Sequence, residues 1–189
     1  MNRALSVSEG RDRMKDLYIH LLFEMMTNSR RSDRELAKIL HVSQPTVTRA
    51  RNHLESNGLI LEYTAIPDFA QIGFELVAFT FFKMRKTVTG EDYESIKKSA
   101  RAFLDGHSNI ILALRGEGMG VDGVMVSLHK NFAEFTEFMI ELKTRGVDAE
   151  VVGNFLSSLE EPNPYKYLTF KSLKEYHDTR IKKQPKMRD

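Results

Sequence analysis

The 189-residue sequence contains no cysteine and no tryptophan. Without thiols there is no disulfide framework, no thiolate zinc ligand and no cysteine nucleophile. That absence suits a reducing cytoplasm, the compartment expected here. No apolar run approaches the roughly 18 residues that a membrane-spanning helix needs. The N-terminal stretch MNRALSVSEGRDR lacks the apolar core of a secretory signal. A soluble chain with no membrane partner is expected. The six histidines are dispersed and form no HExxH pair, so no metal site and no cofactor is expected. No serine-triad motif names a catalytic residue.

What is present belongs to a folded protein. Hydrophobic residues make up 41% and charged residues 29%, an ordinary globular balance that disfavours a wholly disordered chain. The length allows one large domain or two small ones. Net charge is only +2, but it is unevenly spread. Residues 1–66 carry 10 basic and 8 acidic side chains, residues 67–164 carry 10 and 15, and residues 165–189 carry 8 and 3. An acidic middle between basic ends directs polyanions to the ends; a merely solvated surface is the plain alternative.

Helical periodicity dominates the first third. Met14, Leu17, Tyr18, Leu21, Leu22 and Met25 form one apolar stripe. Ser32 with Glu35 three residues on is a capping box, which starts a second helix. That helix ends near His41. Ser43 offers a fresh N-cap and Pro45 fits the first turn of a third helix, which stops before Gly58. Leu59 to Ile66 reads as a short extended stretch. After Pro67 the pattern becomes strand Leu76–Met84, helix Glu91–Leu104, strand Ile110–Leu114, strand Val121–Leu128, a helix marked by Phe132, Phe135, Met139 and Leu142, and strand Val147–Leu156. This is an α+β chain whose β-α-β-β-α-β order is that of a ferredoxin-like unit. A further helix over roughly 169–182 is expected beyond Pro162 and Pro164.

The sharpest local signal runs from Arg34 to Leu54. A small residue at Ala37, a tight turn at His41, and apolar Val47 and Ala50 on the next helix make a helix-turn-helix spacing. His41 stands where glycine is favoured, because the turn needs a positive φ. With Val47, Ala50 and Leu54 facing inward, Thr48, Arg49 and Asn52 point outward, and Gln44, Pro45 and Thr46 lie in the exposed first turn. Gln44, Thr46, Thr48, Arg49 and Asn52 are the candidate base-reading side chains. Arg30, Arg31, Arg34, Lys38 and Ser43 are candidate phosphate ligands. Arg51 stands at the edge of the buried sector. It either reaches a phosphate over a packed stem or pairs with an acid such as Glu55. The other reading of the whole pattern is a three-helix packing element with solvated polar residues.

The succession VSQPTVTR, LESNGLI, EYTAIPDFAQIGFELVAF resembles the Lrp/AsnC family of feast/famine transcriptional regulators, and the likeness extends over roughly residues 10–157. The resemblance implies a winged helix-turn-helix domain over 1–66, a linker over 67–73, a βαββαβ oligomerisation and effector domain over 74–160, and a basic C-terminal extension over 161–189. It implies double-stranded DNA as partner, a dimer or higher oligomer, and an amino acid or other small metabolite as effector. The family's effector loop joins the second and third strands. Here it spans Arg115–Gly123, with Gly116, Gly118, Gly120 and Asp122 as effector residues, and it is longer and richer in glycine than the family pattern; a flexible β-hairpin loop is the other reading. The extension lies beyond the shared domains. Covering the sheet, bracing a neighbouring subunit and adding phosphate contacts are its open roles, and its aromatic residues favour covering.

Residue pattern argues for oligomers independently. Leu76, Ala78, Thr80, Phe82 and Met84 line one face of the first strand, and Val77, Phe79 and Phe81 line the other. A sheet with helices on one side should alternate apolar and polar residues. Val77, Phe79 and Phe81 therefore mark an oligomer interface, unless the chain's own tail covers them. The leading function is a sequence-specific DNA-binding transcriptional regulator. The alternative is an AsnC-like enzyme such as a tetrapyrrole (siroheme) decarboxylase, which would need His107, His129 or Arg115 in a cleft.

Overall fold

The computed structural model describes residues 16–84, 91–145, 149–160 and 166–183. They fall into two compact units, one formed by the chain up to Ile66 together with the segment from Tyr167 onward, the other by Pro67 to Lys166.

The first unit is helical. Helix α1 covers residues 16–27, α2 is Asp33–Leu40 and α3 is Gln44–Ser56. Leu21 and Met25 from α1, Leu36 and Ala37 from α2, and Val47, Ala50 and Leu54 from α3 form one buried cluster. Leu21, Leu36, Val47 and Leu54 have no exposed surface, and each such burial contributes about 1.5–3 kcal/mol relative to exposure. Met14 of the expected stripe lies outside the described residues.

The C-terminal helix belongs to this unit. Its span, Ser172–Lys183, is the last helix of the chain, α6 in the numbering used below. Lys174 pairs with Glu24 of α1, which also takes Arg31, and the His177 ring lies 4.4 Å from that of Phe23. The expectation that the tail covers the sheet is therefore corrected: it packs on α1. A buried carboxylate is stabilised by cations around it, and Lys174 brings one from α6 to Glu24. Tyr167, Leu168, Phe170, Leu173 and Tyr176 stay exposed.

The second unit runs β1 (Leu76–Met84), α4 (Glu91–Gly106), β2 (Ile110–Gly118), β3 (Val121–His129), α5 (Phe132–Arg145), β4 (Ala149–Ser158). Its sheet has the order β2-β3-β1-β4 with antiparallel neighbours throughout, the ferredoxin-like arrangement. Val147, expected in the last strand, lies outside the described residues. One face of the sheet supplies Ala78 and Met125 to a core completed by Phe103 of α4 and Phe135, Phe138 and Met139 of α5. Thr80, Ser127 and His129 are fully buried beside them. The His129 ring lies 5.3 and 5.2 Å from those of Phe135 and Phe138, and its Nε2 is 2.9 Å from the Ser127 hydroxyl.

The opposite face is apolar too. Val77, Phe79 and Phe81 pair with Leu128, Val126 and Val124. Leu112 and Leu114 of β2 and Phe155 of β4 extend the same face and are exposed. Within residues 67–73, expected as linker, 69–73 form a turn closed by Gly73 N–H to Ala70 C=O and Phe74 N–H to Phe69 C=O. Leu59–Ile66 carries neither helix nor strand pairing, and Leu61 is 92% exposed.

Candidate nucleic-acid interface

Helix α2 opens on the expected capping box. The Ser32 hydroxyl accepts from the Glu35 N–H, and the Glu35 carboxylate accepts from the Ser32 N–H, so two orphan donors of the first turn are satisfied together. The chain then leaves α2 through His41 at φ 54°, ψ 41°, the left-handed turn that lets α3 start across α2. Ser43 caps α3: its hydroxyl accepts from the Thr46 N–H and sits 2.8 Å from the Thr46 hydroxyl. Both side chains are thus occupied at the helix start. Pro45, within the first turn, costs no hydrogen bond there.

With the back of α3 buried, its other flank is open. Gln44, Pro45, Arg49 and Asn52 are exposed, and the Arg49 Nε donates to the Pro45 carbonyl at 3.3 Å. Thr48, also exposed, donates to Asp33 Oδ2 at 2.6 Å. Arg51 turns from solvent to Asp33: its Nε donates to Oδ1 at 2.9 Å and its Nη2 lies 2.7 Å from the same oxygen. Glu55, expected as a partner for Arg51, instead accepts from the Tyr63 hydroxyl at 2.7 Å. Among the other cations, Arg31 is engaged by Glu24, while Arg30, Arg34 and Lys38 are exposed.

Asp33 and Tyr63 are the residues that sequence reasoning did not single out. Burial pushes the Asp33 carboxyl up, but the bonds from Thr48 and Arg51 and the guanidinium charge outweigh it and hold the group below the usual carboxylate range. An acid in the first turn of α2 was visible in the sequence. That it faces α3, 15 and 18 residues on, depends on how the helices cross.

The β2–β3 connection is a tight hairpin rather than the expected long loop. The strands run to Gly118 and restart at Val121, and Met119 and Gly120 close the turn at φ 51° and 71°. Positive φ at both central residues matches the twist of the flanking strands, so the glycines serve the ladder. Gly116 has open space where a Cβ would stand. Asp122 accepts from the Met84 N–H at 2.8 Å, which ties β3 to the end of β1.

Residues 16–60 match the family of winged helix-turn-helix DNA-binding domains. The chain is 31% identical to the HTH-type transcriptional regulator LrpC of Bacillus subtilis over 85 residues, which span 45% of this chain and 56% of that protein. Solved structures with the same fold include an AsnC family transcriptional regulator from Agrobacterium tumefaciens, at TM-score 0.63 and 16% identity over 82% of this chain and 93% of that one. At that identity the likeness is one of fold. A transcriptional regulator from Neisseria meningitidis in complex with L-methionine aligns at TM-score 0.63 and 19% identity, over 82% of this chain and 93% of that one. The B. subtilis LrpC structure aligns at 0.58 and 20%, over 79% and 96%. These three alignments each cover about four-fifths of this chain.

Proposed function

We propose that this chain is a sequence-specific DNA-binding transcriptional regulator that works as a dimer or higher oligomer in the cytoplasm. The observation that carries the reading is the open polar flank of α3, Gln44, Arg49 and Asn52, over a fully apolar back. A helix so exposed fits a major groove, where arginine pairs bidentately with guanine and asparagine or glutamine with adenine. Thr46 and Thr48 sit at its margins, each already holding an internal partner. Arg30, Arg34 and Lys38 supply sequence-blind phosphate attraction. Residues 1–66 act as the DNA-binding domain and 74–160 as the assembly domain, where the bare face of Val77, Phe79, Phe81 and Phe155 meets a second copy about a twofold axis.

The match to the curated relative spans 56% of its length, so an effector enters by likeness alone. The Neisseria regulator's complex with L-methionine supports an amino acid or a similar metabolite. Gly116, Gly118, Gly120 and Asp122 are the residues to test for it. We read the chain as a regulator rather than an enzyme of the same architecture. Of the three residues such an enzyme would call on, His129 has no exposed surface and is packed between aromatic rings, His107 is part-buried and stacks on Phe103, and Arg115 is exposed on β2.

The test is selection of duplexes from a random pool by the purified protein, followed by Arg49→Ala. The parent should enrich one sequence, with affinity falling steeply as salt rises. The variant should lose about 1–3 kcal/mol of discrimination. A parent that enriches nothing overturns the regulator; a variant that discriminates as the parent does overturns the role of Arg49.

A further inference from the structure

A polar chain runs along one flank of α3 and ends outside the helix-turn-helix. Asp33 holds Thr48 on one oxygen and Arg51 on the other. The Arg51 Nη1 reaches the Tyr63 hydroxyl at 3.5 Å, and that hydroxyl donates to Glu55. Tyr63 belongs to the segment that leaves the helices for the sheet unit. Past Ile60, its hydroxyl is the one hydrogen-bonding tie between that segment and α3 among the described residues.

Helical geometry gives this chain leverage. At about 100° per residue, Thr48 and Arg51 share one flank of α3, and Arg49 and Asn52 lie one step round. Whatever sets the first pair sets the roll of the second. Base reading demands placement within roughly 0.5 Å and 10–20°. We propose that Asp33 and Tyr63 are positioning residues for base reading: Asp33 fixes the roll of α3 through Thr48 and Arg51, and Tyr63 couples the connecting segment to the same helix. The proposal rests on the DNA-reading function above. It assigns Thr48 and Arg51 to the frame of the reading helix, and leaves Gln44, Arg49 and Asn52 to meet the bases.

Two substitutions test it. Tyr63→Phe keeps the ring and removes the hydroxyl; Asp33→Asn keeps the shape and removes the charge. The probes are the duplex enriched by the parent from a random pool and a scrambled duplex of equal length, titrated over a range of salt concentrations. Tyr63→Phe should melt as the parent does and Asp33→Asn earlier, while in both the ratio of enriched to scrambled affinity falls about five- to tenfold, the loss of about one hydrogen bond's worth of placement. The salt slope should stay at the parent's value, because no phosphate contact is removed. An unchanged ratio in Tyr63→Phe overturns the proposal. So does an equal loss of affinity for both duplexes in Tyr63→Phe, which would make its hydroxyl a sequence-blind phosphate contact. Should Asp33→Asn fail to fold, Tyr63→Phe alone decides. A parent that enriches no duplex removes the underlying function instead, and that result is read on the parent before any variant is made.

Discussion

Replacing Phe155 with aspartate should separate the subunits without unfolding them. Phe155 is 60% exposed and pairs with Phe79 on the bare face of the sheet, ring centroids 6.0 Å apart. The isolated protomer therefore loses little. Complete burial of a phenylalanine contributes about 1.5–3 kcal/mol, so covering the exposed remainder is worth about 1–2 kcal/mol. A twofold axis counts the substitution twice, giving about 2–4 kcal/mol, or a dissociation constant weakened about 30- to 1,000-fold. Two unpaired carboxylates in the interface add to this. Light scattering over a dilution series reads the mass, and circular dichroism checks the fold. If the parent associates and the variant keeps the parent's mass at every dilution with its fold intact, the bare face is not where copies meet.

Other consequences can be measured one at a time. Burial holds the His129 imidazole below its usual range, with the Glu134 carboxylate pulling the other way. The neutral ring is favoured in the fold, so its contribution to stability is complete above the unfolded value of about 6.5 and is lost as pH falls through the folded one; thermal melts should drop toward acid, and less so in His129→Asn. A Cβ at Gly123 would stand 2.3 Å from Phe82 Cζ and 2.7 Å from the Leu114 carbonyl oxygen. Gly123→Ala should therefore cost about 1–3 kcal/mol, seen as an earlier melting transition by scanning fluorimetry. Lys174→Met should free α6 from Glu24, which keeps only Arg31, at about 1–2 kcal/mol; faster tryptic cleavage within the C-terminal segment is the readout, and parent-like cleavage would show that the pair does not hold the helix.

Much of the fold was legible because the deciding forces were local. Ser32 and Glu35 fix a helix start within one turn, and His41 accepts a left-handed conformation where glycine is usual. The β1 span follows from alternation over Leu76–Met84, and the burial of Ala78 and Thr80 against half-buried Val77 and Phe79 repeats that alternation. Illegible features depend on partners distant in sequence. The apolar pattern of β2 stops at Leu114, so the strand seemed to end there, yet pairing continues to Gly118 because the Met119–Gly120 turn brings β3 back in register. Arg51 had an acid four residues away in Glu55, but the helix crossing offers Asp33 instead. The tail's aromatics suggested burial, whereas the contact α6 makes is with a carboxylate 150 residues earlier.

That last contact changes how charge is distributed between the two units. Once α6 is counted with the helices it packs on, the unit carrying α3 holds 17 basic and 11 acidic residues, and the sheet unit 11 basic and 15 acidic. The nearly neutral whole thus divides into +6 and −4. A duplex within a Debye length, about 8 Å at physiological salt, attracts the first and repels the second. Encounter is then biased toward complexes in which the α3 unit faces the phosphates. The bias needs no base contact, so under the proposed function it speeds arrival at any sequence and leaves discrimination to the proposed readers Gln44, Arg49 and Asn52. On that proposal affinity and specificity are carried by different residues, and the clamp on Glu24 adds the tail's charge to the unit that holds α3.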